Sequence, residues 1–241
     1  MTSDAAASLA VPTDADLPPL ALDIDGTLTT PDHTVDPRVF DVLPDWPAPI
    51  VLATGKSFPY PIALCHFIGI PERVVAENGG VVCVDERVRL TGDADRVAAA
   101  TDAFLEAGGD LCWGEADTVN RWRETEVAAS RDADADLLRA VAEEFDLSFI
   151  DTGYAYHLTD PAVSKGAALR EAAAVLDREA SEFVAVGDSM NDASTFEVAR
   201  EGYAVANADE TAREAADVVL DEGYMDGTLT ALQRVIEQAD R

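Results

Sequence analysis

The chain has 241 residues, 48% of them apolar, which suffices for one full core plus a smaller second unit and excludes a disordered chain. Its 47 acidic against 17 basic residues give a formal net charge of -30, which argues against nucleic acid or an anionic membrane surface as a partner, since both need a basic footprint. No apolar run approaches the length of a membrane span and no basic segment precedes an apolar one at the start, so neither a membrane helix nor a signal peptide is expected.

In chain order, residues 1–17 are rich in Ala, Ser, Thr, Asp and Pro without periodicity and are expected to form a flexible N-terminal extension. LALDI (20–24) is a short apolar run bounded by turn residues, the pattern of a buried parallel strand. A short helix opened by Asp36 and Pro37 is predicted over 36–43, and a second buried strand over 50–54. A helix follows over 57–69, with Pro59 and Pro61 near its first turn and Gly69 at its end, and then a third strand over 73–76. Here the rhythm changes. VVCV and VRL bracket DER (85–87) as a hairpin, and a helix runs from Asp93 to Ala107. VNRWRETEV (119–127) alternates like a strand with one wet face, and a helix covers 134–145. LSFID and YAYHL then form a hairpin across Thr152 and Gly153. The first rhythm resumes with a helix over 164–176 capped by Ser164, a strand over 182–188 and a helix over 192–199. Strand 202–206, helix 209–216, strand 217–220 and helix 227–238 complete the chain.

Strand–helix alternation is the pattern of a parallel sheet with helical crossovers, whereas hairpins with two helices read as α+β. The expected fold is α/β. A Rossmann-like parallel-sheet core with helices on both faces is drawn from residues 18–84 and 161–241, with an inserted α+β unit over 85–160.

Ligands of open parallel sheets bind outside the carboxyl ends of the strands, and the short polar motifs collect there. Asp23 and Asp25 follow the first strand, Thr54-Gly55-Lys56 the second, and Gly187-Asp188-Ser189-Met190-Asn191-Asp192 a later one, while Ser164-Lys165-Gly166 opens a helix. Asp23, Asp25, Asp188 and Asp192 offer only oxygen, which selects a hard cation such as Mg²⁺. Lys165 supplies a positive charge, Thr54 a hydroxyl donor, and Gly55 a backbone that an anion can approach closely. Together these groups read as phosphoryl transfer, with Asp23 as nucleophile and Asp25, two residues on in extended chain, handling protons. Taken singly, each motif has a plain structural reading as a turn, an N-cap or a surface lysine; their joint occurrence at strand and helix boundaries favours the chemistry. The two lysines of the chain, Lys56 and Lys165, both fall inside these motifs.

DIDGTLT, ATGK, SKG and GDSMND resemble the four motifs of the haloacid dehalogenase superfamily of phosphatases, and the resemblance covers the chain after about residue 18. It implies Asp23 as nucleophile, and Asp25 as acid/base and a Mg²⁺ ligand through its main-chain oxygen. It implies Thr54 and Lys165 as binders of the phosphoryl group, Lys165 also steadying Asp23, and Asp188 and Asp192 as metal residues. The insert occupies the place of the family's cap domain, which closes over the site. Within the superfamily, the length, the modest cap and GDSMNDASTF are most similar to the archaeal phosphoglycolate phosphatases. A small phosphorylated substrate is therefore expected, with a sugar phosphate as the alternative, and a phosphomutase or a non-catalytic binding module as more distant ones. Lys56 departs from the arginine often found there. Arg121, Arg123, Tyr156 and His157 are candidates to meet the substrate from the cap. The oligomeric state is not readable from the sequence.

The charge suggests a salt-rich cytoplasm. Self-repulsion of this size opposes compaction in dilute buffer, and at roughly 1 M salt the screening length falls to about 3 Å. An acidic, lysine-poor chain of this kind fits a halophilic archaeon, although GC-rich codon usage would also favour Arg over Lys. Cys65, Cys83 and Cys112 are odd in number and lack metal-type spacing, so they read as reduced residues, mostly buried, of a cytoplasmic protein.

Overall fold

The computed structural model describes residues 9–12 and 14–239. In chain order the strands are β1 (Leu20–Asp23), β2 (Ile50–Ala53), β3 (Arg73–Ala76), β4 (Val81–Val84), β5 (Arg87–Leu90), β6 (Glu126–Ser130), β7 (Ser148–Asp151), β8 (Ala155–Thr159), β9 (Val184–Gly187), β10 (Glu201–Ala204) and β11 (Val218–Val219). The helices are α1 (Val39–Val42), α2 (Pro59–Ile68), α3 (Ala94–Glu106), α4 (Ala135–Glu144), α5 (Lys165–Val175), α6 (Ala193–Phe196), α7 (Glu210–Ala215) and α8 (Tyr224–Ala239). No helix among the described residues is long and apolar enough to cross a membrane.

Eight strands form one mixed sheet in the order β11-β10-β9-β1-β2-β3-β4-β5, parallel from β11 to β3 and closed by the antiparallel β4–β5 hairpin. β1 lies between β9 and β2, with Leu20 opposite both Ile50 and Val184. The chain therefore leaves β1 toward one edge and returns to its other side, which makes the carboxyl end of β1 the switch point of the sheet.

The central strands are buried on both faces, and their side chains divide by parity. Leu20, Leu22, Ile50, Leu52, Val184 and Val186 point to a core shared with Cys65 and Ile68 of α2 and Leu232 and Val235 of α8. Ala21, Val51, Ala53 and Ala185 point the other way, to Ala168, Leu169 and Ala172 of α5 and Phe196 of α6. The small alanines on this second face let α5 approach closely, and this approach carries the first residue of α5 to the end of β1.

Between β5 and α5 the chain builds a second, antiparallel sheet in the order β6-β8-β7. α3 and α4 cover one face, packing Val97, Phe104, Leu138 and Val141 on Val127, Ala129 and Leu158. Asp93 caps α3 by accepting the Arg96 N–H, and Asp134 caps α4 by accepting those of Asp136 and Leu137. The alternate residues, Glu126 and His157 among them, point to the opposite face and are buried there.

The structure departs from the sequence reading in three places. Residues 1–8 and Thr13 of the expected flexible extension lie outside the described residues, but Leu9, Val11 and Ala15 pack on the main core and Leu17 is buried in it. These apolar side chains hold the described part of the segment where polar composition suggested a loose one, and just beyond it Trp46 donates its indole N–H to Pro18 O at 3.0 Å. Second, the expected boundary after residue 84 cuts the β4–β5 hairpin, both strands of which belong to the large sheet; the separate sheet is drawn from residues beyond Leu90. Third, most of 119–127 is not a strand. Turns run to Trp122 and the strand begins only at Glu126. Asn120 bonds Asp117 and both the N–H and C=O of Ala128, folding this stretch along the free edge of β6, and these side chain–backbone bonds override the alternation.

Candidate active site

Asp23 ends β1 as a buried carboxylate. Lys165, the first residue of α5, is 1% exposed and reaches it across 142 positions of sequence, donating from Nζ to Asp23 Oδ1 and to Asp192 Oδ1, each at 2.7 Å. Ser164 caps this helix by accepting the Ala167 N–H, which aims Lys165 inward. The other oxygen of Asp192 accepts the backbone N–H groups of Asp188 and Ser189 at 3.0 and 3.1 Å, fixing the loop after β9. Carboxylate oxygens of Asp23, Asp188 and Asp192 lie within 4.8 Å of one another.

This donor set fits a hard divalent cation. All three are oxygen ligands, and Asp23 Oδ2 is buried without a hydrogen-bond partner. Burial pushes the Asp23 carboxyl well above its ordinary range, and Asp192 and Asp188 add to the push while Lys165 opposes it. Burial, reinforced by Asp192, pushes Asp188 up to about 7. A cation among them would relieve this repulsion. Lys165 stays charged: burial works against it, but Asp192 and Asp23 outweigh the cost and hold it above its usual value.

The chain turns sharply past β1 to make room. Gly26 has φ +84°, and a Cβ there would lie 2.0 Å from Asp188 Oδ2. Asn207 Nδ2 donates to Gly26 O at 3.0 Å and to Asp188 Oδ2 at 3.3 Å, tying the two loops together. Asp25 is part-exposed and pairs with Lys56 Nζ at 3.0 Å. Thr54, one residue past β2 and buried, accepts the Lys56 N–H on its hydroxyl oxygen at 3.1 Å, which leaves the hydroxyl hydrogen free to donate. Gly55 follows, with its Cα packed so closely on Asn78 that a Cβ would lie 2.9 Å from Asn78 Oδ1.

The insert meets these loops through buried polar groups. Glu77 accepts the N–H groups of Glu124 and Thr125 and the Thr125 hydroxyl. Arg123 donates to Gly55 O at 3.0 Å and pairs with the fully buried Glu126, which also meets His157 Nδ1 at 2.9 Å. Burial opposes ionisation of Glu126, but His157 and Arg123 outweigh it and hold the carboxyl below its usual range. Asn78 donates to Glu126 Oε2 at 2.6 Å and accepts from Asn191 Nδ2 at 2.9 Å.

Asp23, Lys165, Asp188 and Asp192 thus form one contact group, Thr54 and Gly55 flank it on the neighbouring strand end, and Asp25 stands beside it with Lys56. Of the insert residues singled out in the sequence, Arg123 and His157 face the main sheet. Arg121 is exposed, and Tyr156 packs on Phe149 with its face toward Arg131, on the helix side of the small sheet. Sequence reasoning missed Asn78, Glu126 and Asn207. A turn-forming Asn in ENGG is a weak signal, and an acid in an alternating segment reads as solvated.

A model of the haloacid dehalogenase-like hydrolases matches residues 20–120 and 125–232. The phosphoglycolate phosphatase of Halorubrum lacusprofundi is 60% identical over 218 residues, 90% of this chain and 96% of that one. The phosphoglycolate phosphatase of Halobacterium salinarum is 52% identical over 218 residues, 90% of this chain and 97% of that one. Both relatives come from halophilic archaea. The crystal structure of Thermoplasma acidophilum 0175 superposes with a TM-score of 0.78 at 22% identity, covering 91% of this chain and 98% of that one, a likeness of fold.

Proposed function

The chain belongs to the haloacid dehalogenase-like hydrolases, and from that premise we propose that it hydrolyses 2-phosphoglycolate to glycolate and phosphate, with Mg²⁺ as its metal. The observation that carries the reading is Asp23. Its Oδ1 is held by a buried lysine, and its Oδ2 is buried, unpartnered and beside two further carboxylates. The names of the similar proteins support the choice of ester.

Asp23, Asp188 and Asp192 would hold the metal, with Asp25 contributing its main-chain oxygen. When bound there, Mg²⁺ offsets the clustered negative charge and that of the phosphoryl oxygens. Thr54 donates its hydroxyl to the phosphoryl group, and Lys165 holds Asp23 in place and neutralises developing charge. A carboxylate oxygen of Asp23 bonds to phosphorus while the bond to the glycolate oxygen breaks, and that oxygen takes a proton from Asp25. Water then gives a proton to Asp25 and attacks the same phosphorus. The Asp23–phosphorus bond breaks, phosphate leaves, and both carboxyls return to their starting states. Lys56, paired with Asp25 at 3.0 Å, orients it for both transfers. The insert acts as the cap that covers the leaving group.

The test is a panel of phosphomonoesters assayed with Mg²⁺ in concentrated salt. Phosphoglycolate is the expected preferred substrate, and a clear preference for a hexose phosphate would move the assignment to a sugar phosphatase. Asp23→Asn should abolish turnover, by about 10³-fold or more, without changing the circular dichroism spectrum. Retained activity would overturn the covalent route.

A further inference from the structure

Asn78 touches the loop after β2, the insert and the acidic loop after β9, yet carries no chemistry of its own. Its backbone N–H donates to Thr54 O at 3.1 Å, and its amide packs over Gly55. Its side chain lies between two groups far away in sequence. Nδ2 donates to Glu126 of the insert, 48 positions on, and Oδ1 accepts from Asn191, 113 positions on. Asn191 Oδ1 accepts in turn from the Ser189 hydroxyl, and Asp192 follows directly in the chain. Asn78 itself sits at φ 57°, a left-handed conformation that Asn tolerates better than most residues.

We infer that Asn78 is a positioning residue that couples the seating of the insert to the geometry of the acidic loop: its one amide joins Glu126 of the insert to Asn191 of the loop bearing Asp188 and Asp192. The inference rests on the phosphatase reading above. Two features argue for coupling beyond simple packing. Glu126 is fully buried, so removing the insert from the main sheet would leave its carboxylate without the Asn78 donor and Arg123 without Gly55 O. An amide can also donate to a carboxylate from its nitrogen while accepting from a second amide on its oxygen. The Asn78–Asn191 bond lies within the main unit; the seated insert adds the Glu126 acceptor that fixes the orientation of the Asn78 amide, and lifting the insert removes that acceptor. Substrate that seats the insert completes the arrangement in which Asp23 reacts.

Asn78→Asp keeps the shape but sets a carboxylate against Glu126. It should lower kcat/KM for phosphoglycolate by about tenfold or more, with kcat reduced in molecules that remain folded by circular dichroism. Adding Glu126→Gln to this variant restores one carboxylate and one amide in exchanged positions, and should return most of the lost kcat/KM. It should also return the hydrogen-exchange protection of the Glu124 and Thr125 amides that the single variant loses. A stability loss alone cannot change the kinetic constants of the folded fraction. Wild-type kinetics in Asn78→Asp, or an exchanged pair no better than the single variant, would overturn the proposal. If the aspartate prevents folding, Asn78→Ala must show the same kinetic loss, and unaltered kinetics there would equally overturn it. Failure of wild type to cleave phosphoglycolate would instead refute the substrate, and the exchanged pair would then be compared on whichever ester the panel selects.

Discussion

Lys165 carries a charge with almost no exposed surface, and it can do so because two carboxylates meet it at 2.7 Å. Its ammonium is compact enough to sit between Asp23 and Asp192, whereas a planar guanidinium would need a wider fork. Lys165→Met should remove turnover and, by leaving two buried carboxylates without their counter-charge, cost roughly 3–5 kcal/mol of stability in denaturant unfolding at fixed salt. A variant as stable as wild type would show that the bridge is dispensable to the fold. Lys56 differs, being a part-exposed partner of Asp25 at 3.0 Å. The scarcity of lysine in the sequence drew attention to both residues, but only the folded chain separates their roles.

At the scale of elements, short helices here are held by their partners rather than by their own length. α1 is a single turn, and a single turn has little intrinsic stability. Asp36 just before it accepts the Arg38 backbone N–H and pairs with the Arg38 guanidinium, which also reaches Asp226 of α8 at 2.7 Å. The Arg38 hydrogen bond holds the Asp36 carboxyl below its ordinary value. The folded value is therefore below the unfolded one, so the contribution is complete above the unfolded carboxylate value of about 3.9 and is lost as pH falls through the folded value. The stability difference between wild type and Asp36→Asn should be constant from pH 7 to 5 and close below about pH 4. A difference that persists unchanged into stronger acid would refute the linkage. The same scale accounts for the misread segment at 119–127, where Asn120 captures the backbone of β6 and Arg123 reaches Gly55 O, contacts that hydrophobic alternation does not encode.

At the scale of the molecule, a net charge of -30 acts on a body whose cores are built largely from Ala, Val and Leu. Self-repulsion lowers the stability of the compact state, and salt removes it with a screening length of about 3 Å near 1 M. The midpoint of thermal unfolding should rise steeply between dilute buffer and roughly 1 M KCl, followed by circular dichroism. A midpoint independent of salt would mean that the acidic surface does not govern stability. The origin of the similar phosphoglycolate phosphatases in halophilic archaea accords with this reading.

The alternation of strands and helices, the sheet drawn from both ends of the chain and a separate α+β stretch between them were legible in the sequence, and Asp23, Thr54, Lys165, Asp188 and Asp192 could be singled out there as motif residues. Each depends on local information: a run of apolar residues, a cap, or a polar motif where a strand stops. Only the tertiary structure decided that the β4–β5 hairpin joins the main sheet, that Lys165 bridges Asp23 and Asp192, and that Asn78, Glu126, Arg123 and Asn207 knit the loops together. Those contacts join residues up to 181 positions apart. They depend on where two backbones happen to approach and on which way each side chain points, and neither leaves a periodic trace along the chain.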